Sequence, residues 1–352
     1  MDVKNLTQKL LRFDITENYP ELINIIKNKL GEKFTYNHIH YKGDDVGFIA
    51  SRGSSNKLCF VAHLEINDLF DRKKWNYDPF AGDVVDGVLY GRGINCMKGA
   101  ISALLYAISE TDRDISLIIL KSKSHDIVNS AIEYIKYINF KPKSIVLLEP
   151  SSDASVTDSM QVGYYGVSNI DINISCESTY FHDYDGKNLF SPMLDISNIL
   201  INHKFDSSDV YLEETKIKML SCSSEVISNN SLPIEVKAKF VGLRNENCSH
   251  KDIIEVVEYA IKMLSSNSKI KSHYENICDA FISNNLFSYM GIKNSYHGES
   301  FLYHHFSRLS QDIISLGLYK NSSHGNDESI RVDELIDMSN VYRKLILGYD
   351  FS

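Results

Sequence analysis

LCFVAHLEINDLFDRKKWNYDPFAGDVVDGVLYGRGINCMKGAISALLYA, residues 58–107, reads as a buried strand ending at His63, a long polar loop, a short hairpin closing on Tyr90-Gly91-Arg92-Gly93, and a helix opening near Met97. The run from Leu58 to Ala62 is apolar without a break, the pattern of a strand covered on both faces of a parallel sheet. His63 and Cys96 fall just past the ends of strands, where open α/β sheets collect their ligand-binding side chains.

Working outward, Met97 to Ile108 reads as a helix rich in small residues and Ile115 to Leu120 as a second apolar strand. Val128 to Ile138 is helical in pattern and Ser144 to Leu148 is another buried strand. Upstream, Val3 to Phe13 and Pro20 to Leu30 repeat apolar residues at spacings of three and four, so both are expected to be amphipathic helices. Phe34 to Tyr41, Val46 to Ser51 and the turn signal Arg52-Gly53-Ser54-Ser55 form a strand meander leading into the opening stretch. Strands alternating with helices predict an α/β domain with a mainly parallel central sheet and helices on both faces. Glu149 then lies at the end of its strand, level with His63 and Cys96 if the strands run parallel.

From about Gly166 the pattern changes. Val167 to Ser175 alternates, Met193 to His203 is helical, Leu232 to Leu243 is mostly strand and Asp252 to Leu264 is a helix with one apolar face. This predicts an inserted α+β module, ferredoxin-like in its order of elements, over residues 166–276. The first pattern resumes with a strand at Ile313 to Leu318 and a helix at Val332 to Ile346, so residues 1–165 and 277–352 are expected to form one discontinuous domain.

The chain has 352 residues and a formal net charge of −9, with Lys and Arg scattered. That argues against nucleic acid as a partner and favours a small molecule. No apolar stretch is long enough to span a bilayer, and MDVKNLTQKLLRF lacks the apolar core of a signal peptide, so the expectation is a cytoplasmic protein with no membrane partner. The six cysteines stand singly, without the paired spacing of a structural metal site or the density of a disulfide scaffold.

Several stretches resemble one family. The strand ending in His63-Leu64-Glu65, W-x-x-x-P-F at Trp75, Pro79 and Phe80, D-G-x-L-Y-G-R-G at Asp86 to Gly93, and M-K-G at Met97 to Gly99 are similar to the dinuclear zinc aminoacylases and carboxypeptidases, and within them most of all to the desuccinylases. The similarity continues through Leu148-Glu149-Pro150-Ser151-Ser152, His182 with Pro192, Leu243-Arg244 and the string from Asn321 to Glu328, and so covers essentially the whole chain. It implies hydrolysis of an N-acyl amide of an amino acid and a homodimer formed through the inserted domain. It also implies zinc, one or two ions, with His63 and Glu149 on the first metal, His324 on the second and Cys96 at the bridging position. Two such ions lower the pKa of a bridging water and polarise the scissile carbonyl, with a Glu as general base. Arg244 is implied to bind the substrate carboxylate and His182 to stabilise the oxyanion, from the second domain of a partner subunit.

The chain departs from the family at the reacting positions. Glu65 replaces the Asp that orients the first histidine, and Cys96 replaces the bridging Asp. After the Ile115 to Leu120 strand the family carries Glu-Glu, one the base and one a ligand; here the residues are Lys121-Ser122-Lys123-Ser124-His125-Asp126, leaving His125 or Asp126 as the substitutes. A paired-arginine segment has become Gly163-Tyr164-Tyr165-Gly166, and a substrate loop has become the stretch from His297 to Tyr303. His63, Cys96, Glu149 and His324 together would suit one tetrahedral zinc. Two functions stand open: an amidohydrolase of altered or impaired chemistry, and a catalytically inactive paralogue acting as a binding or interaction module.

Overall fold

Leu58–His63 and Ile115–Leu120 are buried at every position, and burying both faces of an unbroken apolar strand requires helices above and below the sheet. The computed structural model describes residues 2–350 apart from 14, 67–68, 70–71, 152–154, 156–157, 177–187, 206–208, 210, 226–231, 264–268, 285–286, 297–300 and 319–324. The chain divides into two units, Met1–Val162 with Ser283–Ser352, and Gly163–Ile282.

The first unit begins with α1 (Val3–Leu11), α2 (Ile15–Leu30), β1 (Thr35–Tyr41), β2 (Asp44–Arg52), β3 (Leu58–His63), β4 (Val84–Val85), β5 (Val88–Tyr90), α3 (Gly99–Ser109), β6 (Ile115–Leu120), α4 (His125–Tyr137), β7 (Ser144–Leu147) and β8 (Ser159–Gln161). The second unit holds β9 (Gly163–Tyr164), β10 (Gly166–Ser175), α5 (Phe190–Asn202), β11 (Lys216–Glu225), β12 (Glu235–Arg244), α6 (His250–Met263), β13 (Lys269–Cys278) and β14 (Phe281–Ile282). The first unit resumes with β15 (Lys293–Ser295), α7 (Phe301–Phe306), β16 (Asp312–Ser315), β17 (Ser329–Arg331) and α8 (Val332–Gly348).

The central sheet has the order β1-β2-β6-β3-β7-β16-β8-β15. Its middle pairs, β3 with β6, β3 with β7 and β7 with β16, are parallel, while the β1-β2 hairpin adds to β6 antiparallel. Helix α3 is buried along nearly its whole length and packs on α1, α2 and α8. It opens at Gly99 rather than near Met97, because Ile94–Lys98 makes a single π turn in which Cys96 leaves the helical region, at φ −136 and ψ 84. Gly99 is required there: a Cβ would come within 2.6 Å of the Ile94 carbonyl oxygen and of Leu318 Cδ1. A separate three-stranded sheet, β17-β5-β4, brings Ser329 opposite Tyr90 and so lays the end of the chain beside the glycine-rich turn.

The second unit is a four-stranded antiparallel sheet of order β11-β12-β10-β13, with α5 and α6 packed on one face around Ile170, Ile172, Phe240, Ile196 and Val257. The chain order β-α-β-β-α-β is that of a ferredoxin-like module. Both edge strands escape a reading by hydrophobic alternation: β11 and β13 between them bury only Ile217 fully, so neither carries a strong apolar period. The unit extends beyond residues 166–276 because β9 pairs with β14 at its two ends.

Within this unit Arg244 is 1% exposed. Its guanidinium donates to the Cys278 carbonyl at 2.5 Å, to Asn276 Oδ1 at 2.6 Å and to the Cys248 carbonyl at 3.3 Å, and it meets Asp279 at 3.3 Å. It clamps the ends of β12 and β13. In the first unit, α7 places buried His305 edge-on against His125 of α4, with ring centroids 5.2 Å apart. Burial, then the positive charges of Arg308 and His125, push the His305 imidazole down to about 4.

Two outcomes follow from these contacts. R244M is expected to cost the chain about 2–3 kcal/mol, since hydrogen bonds from a charged donor contribute more than neutral ones, read as a lowered midpoint in a urea titration followed by circular dichroism. The unfolded chain protonates His305 near 6.5 and the folded chain only near 4, so its contribution is full above 6.5 and is lost as pH falls through that window. Thermal melts from pH 7 to 4.5 should therefore decline more steeply for the natural chain than for H305F; parallel curves would show that this imidazole is not the source.

Candidate active site

Strands β3 and β7 run parallel with Val61 opposite Leu147, so His63 and Glu149, each two residues further on, leave the sheet level with one another. Gly317 admits this second exit, because a Cβ there would collide with the carbonyl oxygens of Leu148 and Glu149. His63 is 2% exposed; its backbone N–H is directed at Met97 Sδ at 3.4 Å, and its Nε2 lies 3.9 Å from Cys96 Sγ. His63, Cys96 and Glu149 thus gather at one end of the sheet. Arg244 is built into the second unit as described above, and His182 and His324 lie outside the described residues.

The glycine-rich string that carries Cys96 is held by a residue to which the sequence reading gave no role. Glu328 accepts the N–H of Gly93 on Oε2 and that of Asn95 on Oε1, each at 2.9 Å, and Arg92 lies 3.6 Å from it. Arg92 is itself buried, with its guanidinium over the Trp75 ring at 5.7 Å and its backbone N–H on the Pro79 carbonyl. Lys98, also buried, donates to the Phe13 carbonyl at 2.8 Å. The strings around Trp75 and Pro79 and around Tyr90 to Gly99 are therefore one packed scaffold. Glu328 ends the string from Asn321, and its place in that string is the signal the sequence offers for it.

Glu65 has been turned toward the loop that follows β6. Its Oε2 accepts the Ser122 hydroxyl at 2.6 Å and the Lys123 N–H at 2.7 Å. Burial alone would raise its pKa, but these two hydrogen bonds and the charges of His63 and Lys123 outweigh it and hold the carboxyl below its usual value. Cys96 goes the other way: burial, opposed by Lys123 and assisted by Glu149, Glu328 and Glu65, pushes its thiol up to about 12. Lys123 thus acts electrostatically on both groups. His125 is engaged by Asn129 at 2.7 Å and by His305, and Asp126 accepts the Tyr41 hydroxyl at 2.8 Å.

Two ligands of one tetrahedral zinc, at about 2.1 Å for nitrogen and 2.3 Å for sulfur, lie roughly 3.6 Å apart, close to the spacing of His63 and Cys96. A catalytic zinc takes three protein ligands, and among the described residues no group of three or more His, Cys, Asp or Glu side chains is placed to hold an ion. The described residues therefore do not fit the two-metal centre that the resemblance implies.

Residues 59–348 match the model of peptidase family M20/M25/M40. The chain is 24% identical over 370 residues to a succinyl-diaminopimelate desuccinylase of Aliarcobacter butzleri, spanning 99% of this chain and 100% of that protein. It is 26% identical over 378 residues to that of Ehrlichia chaffeensis, spanning 97% and 96%. Among solved structures it superposes on an M20 family metallo-carboxypeptidase of Sulfolobus solfataricus with TM-score 0.75 at 15% identity, covering 98% and 99% of the two chains. It superposes on a dinuclear metal binding peptidase of Bacillus subtilis with TM-score 0.64 at 11% identity, covering 98% and 96%. With the sheet order, the inserted second unit and the family match over most of its length in agreement, the chain belongs to peptidase family M20/M25/M40.

Proposed function

We propose that this protein is a desuccinylase-like amidohydrolase by descent, directed at an N-acyl amino acid, whose two-metal chemistry is impaired. The observation that carries this reading is the loop after β6. The segment from Lys121 to Asp126 stands where the family's Glu-Glu pair is implied, and within it Ser122 and Lys123 hold the Glu65 carboxylate at 2.6 and 2.7 Å. A carboxylate bound in this way is a weak base, and a lysine acting on both Glu65 and Cys96 opposes a dication at the same place. Zinc, where held, would rest on His63, Cys96 and Glu149, with His324 as the remaining donor.

A second reading, an inactive paralogue kept as an interaction module, is supported by the second unit. On α5, Phe190, Leu194 and Ile201 form one exposed apolar stripe, and Tyr259 and Met263 form another on α6. Residues three, four and seven apart share a helix face, and exposed apolar patches of this kind mark contact surfaces. We assign them to homodimer formation within a cytoplasmic protein.

Elemental analysis of the purified chain with an N-succinyl amino acid hydrolysis assay, with and without added zinc, tests the first reading. Sub-stoichiometric zinc is expected, with turnover lower by about 10²–10⁴, the contribution of a general base. The variant C96D/K123E/S124E is expected to gain both zinc and turnover. Stoichiometric zinc with vigorous hydrolysis by the natural chain would refute it. For the dimer surface, which both readings share, sedimentation should give a dimer that L194D/Y259D converts to monomer; a natural chain already monomeric at micromolar concentration would count against that assignment, and turnover by the purified chain would count against the second reading.

A further inference from the structure

Glu328 is 1% exposed, and both of its oxygens are engaged by consecutive parts of one turn, Gly93 N–H and Asn95 N–H. Its own carbonyl accepts the Gly91 N–H at 2.8 Å. The turn cannot be built by another residue at Gly93, where φ is +80 and a Cβ would lie 2.5 Å from Ile66 Cγ2. The residue that follows Asn95 is Cys96. Asp327, the residue before it, captures a different loop, accepting from Asn76 N at 2.8 Å, Asn76 Nδ2 at 2.6 Å and Tyr77 N at 3.3 Å.

We propose that Glu328 is the positioning residue for Cys96: its carboxylate fixes the two amides that lead into the thiol and so sets Sγ against His63. Two N–H groups pointing into one buried place need an acceptor at each, and only a carboxylate presents two acceptor oxygens in one plane. A glutamine offers one oxygen and one amino group, so E328Q sets a donor against a donor and releases one end of the turn. The inference depends on the reading of His63 and Cys96 as the site for its significance only. It concerns where the thiol is held, so a chain without turnover would leave it standing.

The test is site-resolved alkylation of the full chain with iodoacetamide, read by peptide mass spectrometry. Cys59, fully buried in β3, reports global opening, and exposed Cys222 reports the reagent. E328Q is expected to raise modification of Cys96 by about tenfold or more, the weight of one lost charged hydrogen bond, and to speed exchange of the Gly93 and Asn95 amides with it, which loss of a negative charge beside the thiol would not do by itself, while Cys59 stays protected; a rise at Cys96 with those amides still protected would overturn the proposal. D327N, which frees only the Asn76 loop, should leave Cys96 within about twofold of the natural chain on the same scale. Equal rises at Cys96 and Cys59 would assign Glu328 to the fold at large and overturn the proposal, as would an unchanged Cys96. Should E328Q not fold, hydrogen exchange of the natural chain decides: the Gly93 and Asn95 amides should exchange as slowly as those of β3, and exchange about a hundredfold faster would overturn it.

Discussion

A carboxylate taken almost wholly out of water is costly unless each oxygen finds a donor, and Glu328 meets that demand with the Gly93 and Asn95 amides beside Arg92. The candidate site hangs from this arrangement. Arg92 in turn leans on Trp75 and Pro79, so segments more than two hundred residues apart in sequence become one rigid cradle. Burial still pushes the Glu328 carboxyl upward against the pull of the two amides, Arg92 and Lys98. The structure tolerates that because the turn has no other way to satisfy its amides.

Inside the cradle the reacting groups follow a different logic. Family members are implied to hold dications with a carboxylate pair in the loop after β6; here the same loop carries lysines and serines, and Glu65 is bound to it through Ser122 and Lys123. Negative charge from Glu65, Glu149 and Glu328 acts on Cys96, and Lys123 answers part of it. A lysine is a single fixed charge with no open coordination position, so it can balance carboxylates without polarising a carbonyl or lowering the pKa of a water. The scaffold residues that match the resemblance are the tightly packed ones, and the residues that differ from it lie where the resemblance implies reacting groups.

Much of this was legible in the residues. The unbroken apolar runs at Leu58 and Ile115, the change of texture at Gly166 and the motif strings located the sheet, the insertion and the family, because burial on two faces and tight turns leave compositional marks that do not depend on context. The level exit of His63 and Glu149 follows from the parallel register of β3 and β7, whereas Cys96 arrives on the turn after β5, in a separate antiparallel sheet. Edge strands β11 and β13 were not legible, since a strand that buries one face weakly carries little periodicity. Arg244, implied as a substrate ligand, is instead folded inward on Cys278, Asn276 and Cys248, and a guanidinium has the same letter in either role.

By itself, then, the sequence determined the layered α/β architecture, the inserted module, the family and the presence of Lys121 to Asp126 where the resemblance implies a Glu-Glu pair, all of which are carried by local pattern or by the identity of single residues. Only the tertiary structure decided that Glu328 holds the turn before Cys96, that Glu65 faces Ser122 and Lys123, and that His125 is taken up by Asn129 and His305. Each of these is a hydrogen bond or packing contact between distant segments. Its partner is chosen by the path of the chain through space, which no spacing along the sequence records.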